Sequence, residues 1–302
     1  MRIVAAVVVL ASFCSFAYAQ PASGSEKALN EARTYYAHNN FAKALTAYSK
    51  TDINTLENAD VVNYATAAFF MGQFQQSNDI ASIGLKRQPG SAAFYRLIFY
   101  SNTEMENYSL ALCYADSLFH HTDGDTPQYF DYSYYGNALS GVNKHEEAVE
   151  AFQHYMQEAD NPNANDYASF GRILIQHANA QTDSVARQLS LAKADSVYAQ
   201  MATRHIDAAE YATLLRARVN NLMDDKQQQG LACPYYEALA ELINLKTTLS
   251  ETDKERLIEC YHYLITYHYA NRQDYNEARR YAQKMLHIDP DNEIALKIIG
   301  NK

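Results

Sequence analysis

From residue 20 onward, apolar residues recur at steps of three and four, the spacing of helices that bury one face. Within that periodicity a short unit returns: a larger residue followed three positions later by a small one. It occurs at Phe41-Ala44, Phe74-Ser77, Tyr108-Ala111, His145-Ala148, Leu191-Ala194, Tyr235-Ala238 and Tyr275-Ala278. The small residues are separated by 33, 34, 37, 46, 44 and 40 positions. In the regular units another small residue stands 12 positions earlier (Ala32, Ala65, Gly136), and an apolar residue stands four later (Tyr48, Ala81, Ala115, Phe152, Tyr198, Leu242, Ala282). Small residues facing large rings let two antiparallel helices approach closely, and apolar faces on both helices make each hairpin stack on the next. Pro89 and Pro290, each 12 residues after a marker, would stop a second helix. The pattern predicts an all-α array of about seven helical hairpins, and Glu293–Gly300 reads as a terminal helix capping the last one.

The repeat is regular over residues 20–160, about four units, and looser over 161–302, about three units and the cap; Asp160-Asn161-Pro162-Asn163 marks the break. Between Gly171 and Ala194 lie 23 residues instead of 12, so the polar run Gln176–Val185 is a longer turn or a helix extension. Asp224–Gly230 reads as a surface loop, with Pro234 in the first turn of the next helix.

The N-terminus is a different kind of segment. Met1-Arg2, the apolar run from Ile3, and Ala17-Tyr18-Ala19 have the charged start, short apolar core and small-x-small end of a secretory signal over residues 1–19. Phe13 before Cys14 does not suit the small-residue slot of a lipidation site. Cleavage after Ala19 would leave 283 residues and, with Arg2 gone, a charge of −11. The expected location is therefore the periplasm of a Gram-negative cell or the exterior. No later stretch reaches 18 apolar residues without a charge, so no transmembrane segment is expected, and membrane association would run through a partner.

Composition narrows the function. The 302 residues carry 25 Lys and Arg against 35 Asp and Glu, and this −10 disfavours nucleic acid as a partner, because a sequence-independent grip on phosphates needs a basic surface. The 25 Tyr and 12 Phe, with no Trp, fit a hairpin interface written several times over. Cys113, Cys233 and Cys260 are an odd set, and Cys233 and Cys260 are predicted to lie far apart along their helices. His262 and His268 fall on different faces of one helix, and His120-His121 ends another. Neither a metal-binding helix motif nor a Gly-rich phosphate loop occurs, so no catalytic set, metal or cofactor is assigned.

The last unit, Glu259–Asn292, with Asp274-Tyr275-Asn276-Glu277-Ala278 and His287-Ile288-Asp289-Pro290-Asp291-Asn292, resembles the tetratricopeptide repeat. So does the fourth, with Tyr135-Gly136-Asn137-Ala138 and His145-Glu146-Glu147-Ala148-Val149. Arg216-Ala217-Arg218 followed by Gly230–Glu237 resembles a unit of exported bacterial members. The resemblance covers the chain after the signal and implies a right-handed α-solenoid whose first helices line a concave, partner-binding groove. On that pattern the groove positions are Arg33 and Tyr36, Thr66 and Phe69, Arg96 and Tyr100, Asn137 and Ser140, and Arg172 and Gln176. Arg33, Arg96 and Arg172 could hold carboxylates of a partner, or they could pair with neighbouring Glu and Asp. Asn63 matches one position of the family's C-terminal-carboxylate readers, but Leu29, Ala93 and Leu97 stand where that specificity needs polar groups.

The expected function is thus an exported, non-enzymatic scaffold presenting a groove to a peptide or protein, with an envelope or secretion assembly as its expected setting. The alternative is a small-ligand binder or enzyme with a pocket in the C-terminal repeats near Arg216, His262 and His268.

Overall fold

The computed structural model describes residues 24–120 and 127–300; the signal segment with Cys14, and His121, lie outside them. Among the described residues the helices pair into seven hairpins. They are α1 (Gly24–Ala37) with α2 (Phe41–Tyr48), α3 (Asn58–Phe70) with α4 (Phe74–Arg87), α5 (Ala92–Glu104) with α6 (Tyr108–His120), and α7 (Asp131–Gly141) with α8 (His145–Glu158). Then follow α9 (Ala164–Ala180) with α10 (Ser184–Arg204), α11 (Ala209–Met223) with α12 (Cys233–Asn244), and α13 (Glu251–Thr266) with α14 (Tyr275–Leu286), before the single helix α15 (Glu293–Gly300). α15 packs on α14, where it covers the last hairpin.

Five hairpins turn on one backbone device. Asn39, Gly72, Glu106, Asn143 and Gln273 have φ of 55°, 72°, 61°, 62° and 54°, and each stands five residues before its small marker. In the first four, the next residue's N–H reaches back five positions and closes the helix end: Asn40 to Tyr35 (2.8 Å), Gln73 to Ala68 (2.9 Å), Asn107 to Asn102 (2.8 Å) and Lys144 to Leu139 (3.0 Å). In the seventh hairpin Asp274 N–H reaches six back, to His268 (2.8 Å), because α13 runs into a π-helical turn over Tyr267–Asn271. Glu is the poorest fit to this left-handed position among the five residues. Glu106→Gly is expected to stabilise the protein by about 0.5–1 kcal/mol in urea unfolding; a loss would show that the Glu106 side chain supports the turn.

Helix starts in the second half carry explicit caps. Asn163 and Ser250 form capping boxes with Asp166 and Asp253, Asp183 accepts from Ala186 N–H, and Pro234 lies in the first turn of α12. The long spacing in the fifth unit is a helix extension: α10 has 21 residues and follows α9 after three linking residues. The segment after α11 folds about one buried carboxylate, Asp224, which accepts N–H bonds from Gln228 (2.9 Å), Gln229 (2.9 Å) and Gly230 (2.7 Å).

Packing follows the periodic pattern in six of the seven hairpins. Ala44, Ser77, Ala111, Ala148, Ala194 and Ala278 are fully buried, as are the residues four positions on. Gly136 shows why the position 12 earlier stays small: a Cβ there would sit 3.1 Å from the Ala148 carbonyl and 3.2 Å from Phe152. Hairpin six departs from the expectation. Ala238 is half-buried and Leu242 exposed, while Tyr236, Leu239, Ala240 and Ile243 fill the core. Its α12 starts from the Asp224-centred loop, whose Gln227 and Gly230 take the positive φ, and the helix is rotated accordingly.

The residues up to Ala159 and those from Asp160 form two compact units. In the first, α1, α3, α5 and α7 pack side by side as well as against their second helices. Its core runs from Ala32 and Tyr48 through Phe94 and Ile98 to Phe99, Leu118 and Ala138. The second unit's core around Leu239, Leu257, Cys260, Leu264 and Met285 is closed by Ala295 and Ile298 of α15. Cys260 is fully buried, and desolvation pushes its thiol up to about 12; Cys233, half-buried, is pushed up to about 12 for the same reason. All three described cysteines are free thiols, Cys113 being exposed.

Candidate functional site

The first-helix face of unit one is held together by buried carboxylates. Asp60, in the first turn of α3, accepts Arg33 Nε at 2.8 Å and Nη2 at 2.6 Å from α1. Asp131, which opens α7, accepts Arg96 Nε at 2.8 Å and Nη2 at 3.0 Å from α5, as well as the Gln128 N–H at 2.7 Å and the Tyr100 hydroxyl. Both aspartates are essentially inaccessible to solvent, and both bonds are bidentate and charge-assisted; the Arg96–Asp131 pair is largely buried on both sides, while the Arg33 side chain is 45% exposed. Arg33 and Arg96 therefore stitch one first helix to another. Their guanidinium forks already hold carboxylates of this chain, the second of the two roles the sequence left open for them.

Tyrosines continue the same system. The buried Tyr48 hydroxyl lies 3.4 Å from Asp60, and its ionisation is driven up by burial and by that carboxylate. Tyr100 stacks on Tyr134 at 3.8 Å, and burial with Asp131 close by raises its ionisation well above the ordinary value. Unit two uses the same chemistry: Tyr236 donates to Glu259 (3.2 Å), Tyr281 to Glu237 (2.8 Å), and Arg218 binds Glu259 through both Nε and Nη2.

The remaining groove candidates divide as follows. Tyr36 is half-buried against Phe41 at 5.7 Å, and burial raises its ionisation. Phe69 is half-buried, touching Phe74, Tyr100 and Tyr134. Asn137 donates to the Ser133 carbonyl of its own helix at 2.9 Å, and Ser140 is buried. Arg172 belongs to unit two, exposed on α9, where its charge bears on Tyr198. Arg33, Tyr36, Thr66, Phe69, Arg96, Tyr100 and Asn137 thus share the four adjoining first helices of unit one.

Next to them lies a feature the sequence reading did not single out. Phe70 is 38% exposed and Met71 44% exposed at the end of α3, with the Phe70 ring stacked on Phe41 at 4.6 Å. Together with Tyr36 they make an aromatic edge open to solvent. The signal was present in Phe69-Phe70-Met71, one apolar residue more than a single buried stripe needs before a turn. Asp60 and Asp131 also had a signal, since each stands 17 residues before its small marker.

The alternative pocket is differently composed. Arg216 donates to Asp195 (2.9 and 3.0 Å) and to the Tyr235 hydroxyl (2.9 Å), and its guanidinium lies over the Tyr235 ring. His262 is exposed on α13. His268 lies in the π turn between Tyr267 and Tyr281, and neither ring nitrogen has a hydrogen-bond partner. A cavity of about 450 Å³ in this unit is lined by Tyr269, Gln273, Asp274, Tyr275, Asn276, Arg279 and Ile298, without any of those three residues. Among the described residues no group of three His, Cys, Asp or Glu is placed to hold a metal ion, and no helix is long and apolar enough to cross a membrane.

No family model matches the chain, and no curated protein sequence does. Solved structures do. A tetratricopeptide repeat protein from Parabacteroides merdae is 12% identical over 91% of this chain and 97% of its own, with a TM-score of 0.51. The C-terminal part of a TPR repeat-containing protein from Cytophaga hutchinsonii is 23% identical over 79% of this chain and 99% of its own, with a TM-score of 0.47. PilF of Pseudomonas aeruginosa is 14% identical over 81% and 97%, also at 0.47. Repeated antiparallel hairpins with small residues at their crossings, and the match along nearly the whole Parabacteroides merdae chain, give this protein the tetratricopeptide-repeat fold, an all-α solenoid of helical hairpins.

Proposed function

We propose that the protein is an exported scaffold that binds a protein or peptide on the first-helix face of unit one, without turnover. The observation carrying this reading is the exposed Phe70–Met71 edge beside a face of half-buried rings fixed by the Arg33–Asp60 and Arg96–Asp131 pairs. A rigid surface loses little entropy on binding, and an exposed aromatic edge supplies contact area. Assembly with envelope or secretion components is the setting that the leader at residues 1–19 and the acidic surface favour.

A photo-crosslinking amino acid at Phe70, with the same group at exposed Gln75 on α4 as control, tests the face. A discrete adduct from Phe70 alone is expected; equal adducts from both positions would count against this surface. Export is tested by N-terminal sequencing of protein from the native host, which should begin at Gln20. A chain retaining Met1 would remove the exported part of the reading.

A further inference from the structure

The charge of the first helices of unit one, counted over all their faces, points away from the partner their arginines suggest. With the N-cap Glu57 included, α1, α3, α5 and α7 carry six carboxylates (Glu26, Glu31, Glu57, Asp60, Glu104, Asp131) against three cations (Lys27, Arg33, Arg96), a net −3. Two of the cations are committed to the buried aspartates. Lys27 lines a cavity of about 450 Å³ with Asn30, Glu31, Thr34 and Tyr35 of its own helix. Around Arg33 the imbalance is local: Asp60 fills both arms of its fork, and a second carboxylate, Glu57, stands 3.9 Å from Nη2 with its side chain 82% exposed. One guanidinium thus faces two carboxylates, and a further acidic group brought there would meet repulsion.

We propose that the occupant of this face is a cationic, amphipathic segment of a partner protein, which places an aromatic or aliphatic side chain on Phe70 and Met71 and a Lys or Arg against Glu57. This rests on the first-helix reading above and adds the chemical class of the partner. The two anchor points stand at opposite ends of α3: Met71, 14 positions after Glu57, returns to within about 40° of its side of the helix about 21 Å along the axis, and Phe70 lies about 140° round from it. The segment therefore carries its basic and leading apolar anchors about 21 Å apart, about 14 residues if helical and about six if extended. Tyr36, Phe41 and Phe69 form the apolar lane near the Phe70 end. The exposed Glu57 contributes mainly to encounter rate and discrimination, and the rings contribute most of the affinity.

The test is selection from a random dodecamer display library on the chain beginning at Gln20, repeated on Phe70→Glu and Glu57→Lys variants whose helicity matches the parent by circular dichroism. Enriched sequences are expected to be net positive with at least one aromatic or large aliphatic residue. Their affinity should fall at least tenfold with Phe70→Glu and severalfold with Glu57→Lys, and it should weaken as salt rises from 50 to about 300 mM. Acidic or neutral binders that are lost with Phe70→Glu would overturn the cationic partner and leave the face intact. Basic binders indifferent to Phe70→Glu, or no enrichment at all, would overturn both.

Discussion

Asp131→Ala should cost unit one about 3–5 kcal/mol, the loss expected when one member of a buried ion pair is removed. Two donors besides the Arg96 fork reach the same carboxylate at the entry to α7: the Tyr100 hydroxyl and the Gln128 N–H. The Arg96 side chain is 15% exposed, so water reaches it poorly once Asp131 is gone. The double variant Arg96→Leu with Asp131→Leu should recover most of the loss, because replacing a buried pair by apolar groups is far cheaper than breaking it. Chemical denaturation of the three proteins measures both values. A single-variant loss below 1 kcal/mol would mean that Asp131 is not the joint between α5 and α7 described above.

Gly171→Ala is expected to be a strongly damaging one-carbon change in unit two. The new Cβ would lie 2.2 Å from the Tyr198 ring and 2.7 Å from its hydroxyl oxygen, and Tyr198 is packed in the core with nowhere to retreat. Overpacking of this kind costs about 1–3 kcal/mol, and here the upper end applies because α9 and α10 must separate to admit the methyl group. Tyr198→Leu alone is also destabilising, yet with Gly171→Ala it should be less harmful than the sum of the two changes. Strict additivity in that cycle would rule out the steric explanation.

Much of this architecture could be read from residue order because the same local problem is solved repeatedly. A small residue opposite a ring, five positions after a residue in the left-handed conformation, is a purely local arrangement, and it survives in five of the seven hairpins, the fifth having exchanged it for a helix extension. Hairpin six, where Asp224 organises a longer connection, loses the register, and its Ala238 and Leu242 come out of the core. The interaction face was less legible. Arg33 and Arg96 could be placed on first helices by spacing, but their pairing depends on carboxylates 27 and 35 residues away, contacts that a helical period does not encode. Arg172 follows the small Gly171 as Arg33 follows Ala32, yet it lies in a different unit. The exposed edge at Phe70 and Met71 was hidden because an apolar run at a helix end is usually core.

The π-helical turn at Tyr267–Asn271 bears on how such an array can change length. Forward of that turn the seventh hairpin keeps the common count, with Gln273 five residues before Ala278. Behind it, the fully buried residue is Ile265, 13 positions before Ala278, where the regular units bury the twelfth. Thr266 at the twelfth place is only half-buried. One surplus residue has been absorbed as a wider helical loop, and both the turn ahead and the packed face behind kept their partners. An array built this way can gain or lose single residues within its helices over evolutionary time, which makes its repeat length a poor record of descent and its turns a better one.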